Sequence, residues 1–216
     1  MNSPPQLMNS KRGLSSTLLP NGPDYIRSAY EIPEGSQGET QTIGLVEFDN
    51  FYDSDVAFYA SYYGVTSSSI NIERVYIESA CEVCNVSESC NCGPAPPTTP
   101  GNGWIEVTLD IDMILAVAPR AKILVYISAN YGIGFTLMSQ IANDNLAKVV
   151  SSSWGEPEDY LSYEQILSED QIFIQMALQG QTVFASSGDS GAFEDAAKHL
   201  VGIDPAIQPL VTGVGK

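Results

Sequence analysis

The chain has 216 residues, enough to bury one sizeable core without requiring a second domain. Its 26 acidic and 9 basic residues leave a net charge of −17, which repels nucleic acid and anionic membrane surfaces. A hydrophobic content of 44% is that of a soluble globular protein, and no apolar run reaches the ~18 residues of a membrane span.

Residues 1–22, rich in Pro, Ser and Asn, are expected to be a flexible lead-in, and they lack the apolar core of a signal peptide. A short helix is expected near 23–30. TIGLVE, residues 42–47, is the first strand, nearly all apolar as a central parallel strand should be. Asp53 to Tyr63 is expected to be a helix opened by the acceptors Asp53, Ser54 and Asp55 and closed by Gly64. INIERVYI, residues 70–77, alternates as a second strand.

The loop 79–103 carries all four cysteines, Cys81, Cys84, Cys90 and Cys92, and the run GPAPPTTPGNG. Local disulfides are the favoured reading in an oxidising compartment, while the C-x2-C spacing of Cys81 and Cys84 leaves a zinc site as the alternative.

Residues 104–118, WIEVTLDIDMILAVA, form a helix that is apolar on most sides and is expected to be buried and central. Glu106 and Asp110 lie four residues apart, which puts both carboxylates on one face within reach of each other. Two acids on such a helix are costly unless something uses or pairs them. Strands follow at 122–127, 148–152, 182–185 and 209–212, with helices at 134–146 and 162–179. Strands alternating with helices predict an α/β fold with a mainly parallel sheet covered on both faces.

Ligands bind such sheets at the carboxyl ends of strands, which points to Ser128–Asn130, Ser151–Gly155 and Ser186–Gly191. The turn around Gly188 lacks both the G-x-G-x-x-G pattern and a Walker lysine, so nucleotide binding is rejected. The single histidine, His199, sits in a polar segment and is expected at the surface. Any hydrolytic base is therefore sought among the carboxylates.

Several of these segments, in order, resemble the sedolisin family of serine-carboxyl peptidases. They are PDYIRSAYEIP, TIGLVE, GWIEVTLDIDMILAVAPRAKILVY, VVSSSWGEPED, TVFASSGDSGAF and DPAIQPLVTGVG. The resemblance implies a subtilisin-like fold and acid-active endopeptidase chemistry on a polypeptide substrate. By that resemblance Glu106 is the general base, Asp110 its supporting acid and Asp189 the oxyanion-hole aspartate. Ser153, Trp154, Gly155 and Asn130 would line the substrate, and Glu47 would support the acids from behind. Asp112 is expected to be structural and Asp159 a loop or capping residue.

A carboxylate base suits acid, where a histidine would already carry a proton, and a protonated Asp189 could donate to an oxyanion. The family's nucleophile lies in a G-T-S motif and its calcium site follows. Neither is matched within this sequence, whose last residues are GVGK, so residues 23–216 correspond to a partial catalytic domain. The expectation is that this polypeptide alone is inactive, needs no cofactor of its own, and derives from a secreted family. The alternatives are a non-catalytic peptide-binding module and an acidic structural α/β protein.

Overall fold

The computed structural model describes residues 22–66, 69–78, 94–129, 134–194 and 199–215. Six strands form one sheet in the order β2-β3-β1-β4-β6-β8, all parallel. They are β1 (Thr42–Glu47), β2 (Asn71–Tyr76), β3 (Lys122–Ile127), β4 (Val149–Ser152), β6 (Thr182–Ser186) and β8 (Val211–Val214). A separate antiparallel pair joins β5 (Glu156–Pro157) to β7 (Ile203–Asp204).

The helices are α1 (Pro23–Ala29), α2 (Asp53–Tyr63), α3 (Trp104–Val117), α4 (Gly134–Asp144) and α5 (Tyr163–Leu178). Alternation along the strands builds a core on each face. Leu45, Ile123, Val125 and Ile127 pack with Val56 of α2 and with Val107, Ile111 and Leu115 of α3. Val46, Leu124, Tyr126, Val150 and Val183 point the other way, onto Leu137 and Ile141 of α4 and Phe173 and Met176 of α5. This is the doubly covered parallel sheet expected from the sequence.

Helix α5 begins at a capping box: Ser162 Oγ accepts from Gln165 N at 3.2 Å, and Gln165 Oε1 accepts from Ser162 N at 2.8 Å. Three expectations need correction. Helix α2 is capped at Tyr52 with no side-chain capping bond, so Asp53, Ser54 and Asp55 lie inside its first turn, where acids still suit the helix dipole. The last strand is 211–214 rather than 209–212, because Val211 N donates to Gln208 O and closes a turn ahead of it. Helix α3 is not apolar-buried on most sides. Ile105, Leu109, Met113 and Val117, spaced by four, form a stripe that is 62, 47, 37 and 36% exposed.

Candidate active site

Glu47 ends β1, which pairs with β3 on one side and β4 on the other, and side-chain parity sends it to the same face as Leu45, toward α3. It is fully buried, with 0% exposure. Trp154 Nε1 donates to Glu47 Oε2 at 2.7 Å. Ser153 Oγ donates to Asp110 Oδ1 at 2.8 Å, bringing the segment after β4 onto α3.

The other carboxyl oxygens, Glu47 Oε1 and Asp110 Oδ2, are buried with no further donor. Glu47 and Asp110 act on each other here, and a proton held between them would satisfy both oxygens. Burial pushes Glu47 well above the usual carboxylate range, and the Asp110 charge adds to it. Burial also pushes Asp110 up to about 6, helped by like charge from Glu106 and opposed by the Ser153 hydroxyl and by Glu47. The result is a line of polar contacts running Trp154, Glu47, Asp110, Ser153, with Glu106 one turn up α3 and only partly buried.

The pairing read from the four-residue spacing is therefore incomplete. Asp110 finds its buried neighbour in Glu47, on another element, and Glu106 acts on both through charge. Ser152 Oγ donates to Trp154 O at 3.0 Å and Ser186 Oγ to Ser153 O at 3.0 Å, fixing the strand end beside these acids. Gly155 lies against β7: a Cβ there would sit 2.4 Å from Ile203 Cγ2 and 2.7 Å from Asp204 O.

Asp189 is exposed in the turn after β6, where Gly188 takes a φ of +100°. Among the described residues no hydrogen bond or ion pair joins it to Glu106 or Asp110. His199 is exposed. Asp112 lies partly buried on α3 near Asp55 of α2, with burial pushing it up to about 7. Asp159 belongs to a single 3-10 turn, Glu158–Tyr160. Asn130 and the four cysteines, Cys81, Cys84, Cys90 and Cys92, lie outside the described residues.

A cleft opens beside Trp154 and Gly155, lined by Phe173, Glu156, Glu169 and Asp204. Burial and the hydrogen bond to Asp204 hold the Glu169 carboxyl above its ordinary range. Among the described residues no group of three or more His, Cys, Asp or Glu side chains is arranged to hold a metal ion. No helix among them is long and apolar enough to cross a membrane.

One residue escaped the sequence reading. Asp49, two positions past Glu47, is 7% exposed, and its carboxylate accepts the backbone N–H groups of Asn50, Gly101 and Gly103 at 2.7, 2.7 and 2.6 Å. The available signal was an acid just past a strand end together with a G-N-G turn just ahead of a helix.

No family model matches the chain. It is 34% identical over 196 residues to kumamolisin of Bacillus sp. (strain MN-32), an alignment covering 88% of this chain and 33% of kumamolisin. It is 35% identical over 127 residues to sedolisin of Pseudomonas sp. (strain 101), covering 52% of this chain and 22% of that protein. The chain thus spans a third or less of the length of these relatives. Its fold superposes on that of the Pseudomonas sedolisin (serine-carboxyl proteinase) complexed with two molecules of pseudo-iodotyrostatin. There the TM-score is 0.71 and the identity 22%, over 89% of this chain and 52% of that one. With the ordered segments, the parallel sheet and the buried acids in view, the chain belongs to the sedolisin family.

Proposed function

We propose that these residues supply the acid–base side of a serine-carboxyl endopeptidase acting on polypeptides in acid. The observation that carries this reading is the pair Glu47 and Asp110, which act on each other, are held by hydrogen bonds from Trp154 and Ser153, and feel the charge of Glu106. In the proposed scheme Glu106 takes the proton from a serine hydroxyl as that oxygen attacks the scissile carbonyl. Asp110 lies one turn behind it, and Glu47 and Trp154 keep Asp110 in a fixed, partly buried setting.

Asp189 would donate a hydrogen bond to the developing oxyanion only while it carries a proton, which ties the scheme to low pH. The backbone of Ser153–Gly155 would pair with an extended substrate at the open end of β4. No serine among the 216 residues is assigned as nucleophile, and the Ser153 hydroxyl is already committed to Asp110. The isolated chain is therefore expected to bind unfolded polypeptide in acid without cutting it.

The test is incubation with an unfolded, labelled protein at pH 3 to 7, following binding by anisotropy and cleavage by gel, with Glu106→Gln alongside. Saturable binding without cleavage is the expected result. Cleavage that Glu106→Gln abolishes would keep the peptidase reading and place the nucleophile within this chain. Absence of both binding and cleavage would overturn the reading.

A further inference from the structure

We propose that Asp49 is a positioning residue that sets the place of the acid-bearing helix α3 relative to Glu47. The inference rests on the reading of α3 as the helix that carries the general base. Helix α3 has no side chain of its own capping its start: Gly103 is the N-cap, and its carbonyl accepts from Glu106 N at 3.0 Å. The fastening comes from another element. Asp49 leaves β1 just after Glu47, and its two oxygens take the amides of Gly101 and Gly103 from below.

The same short stretch of chain therefore holds both the buried acid and the first turn that presents Glu106. Charge-assisted bonds of this length are among the stronger hydrogen bonds, and three of them fix the carboxylate in all directions. The glycines make the approach feasible. A Cβ on Gly101 would sit 2.9 Å from Asp49 Oδ2, and one on Gly103 would sit 3.0 Å from the Trp154 ring and 3.1 Å from Asp49 Cβ. The G-N-G turn is thus wedged between the clamp and the indole that donates to Glu47.

Neighbouring Asn50 does a different task. It takes Arg74 Nε at 2.8 Å and donates to Tyr76 Oη and Pro97 O, tying β2 and the incoming loop to β1 without touching α3.

The test is carboxyl-carbon NMR titration of the whole chain, with the Trp154 indole N–H resonance followed in the same samples. Asp49→Asn places an NH2 against backbone donors and releases the start of α3. The Asp110 midpoint is then expected to fall by about one unit as the helix loosens and water enters. The Trp154 indole signal should move with it. Gly101→Ala perturbs the clamp from its other side and should shift both signals in the same direction; it decides the matter if Asp49→Asn does not fold.

Arg74→Ala is the control: it should lower the melting temperature while leaving both signals in place. Unchanged signals in a folded Asp49→Asn, or in Gly101→Ala where Asp49→Asn does not fold, would overturn the proposal. An Arg74→Ala shift equal to that of the clamp variants would also do so, since general loosening would then account for it. Failure of the peptidase reading would show separately, as lost polypeptide binding with these titrations intact.

Discussion

Replacing Asp110 with Asn should remove a pH-dependent penalty on folding. In the unfolded chain this carboxyl loses its proton near its ordinary value of 3.8, whereas in the native protein it keeps it to about 6. Over that interval the native state binds more protons, so raising the pH works against folding. The advantage is complete below about pH 4 and gone once the pH has passed the native value. A shift of about two units at about 1.4 kcal/mol per unit corresponds to about 3 kcal/mol. Part of the carboxyl meets solvent, so the measured figure should fall at or below that.

Asn keeps an acceptor for Ser153 Oγ and carries no charge to desolvate. Urea denaturation of both proteins at pH 4, 5, 6 and 7, followed by tryptophan fluorescence, measures the effect. Asp110→Asn should be more stable than the wild type at pH 7 by ~2–3 kcal/mol and within ~1 kcal/mol of it near pH 4. The slope should also flatten because the Asp110 charge is one cause of the raised Glu47 value. Equal stabilities at pH 7, or a wild type that gains stability between pH 4 and 7, would refute the reasoning.

Trp154→Phe removes the donor to Glu47 Oε2 and leaves a buried oxygen without a partner, which should cost ~1–3 kcal/mol in urea denaturation. Leu124→Ala opens a cavity on the α4 and α5 face at a residue 1% exposed, and should cost ~2–5 kcal/mol in the same measurement. Ser162→Ala breaks the capping box of α5 and should cost ~1 kcal/mol, with little change in the Asp110 titration.

The alternation of strands and helices was legible because each element keeps one period, and TIGLVE could hardly be other than a central strand. Glu106 and Asp110 stood out through their four-residue spacing, which is a property of one helix. Glu47 against Asp110 was not legible by spacing, because it depends on strand parity and on which helix covers that face of the sheet. Asp49 was invisible for the same reason: its partners are backbone amides of a turn far along the chain. The stripe Ile105, Leu109, Met113 and Val117 misled in the other direction, since apolar spacing says which residues share a face and not whether anything covers it.

The strand order also bears on how the molecule assembles. β1 is made before β2, yet the two do not pair, because β3 inserts between them and β4 closes the other flank of β1. Loop-closure entropy must be met before these non-local pairings form, which is the condition for slow folding. Until β3 and β4 arrive, Glu47 stands in water and is ionised at neutral pH. Burial pushes its carboxyl well above the usual carboxylate range, so closing the sheet over it favours the protonated form, and mild acid favours the enclosed state.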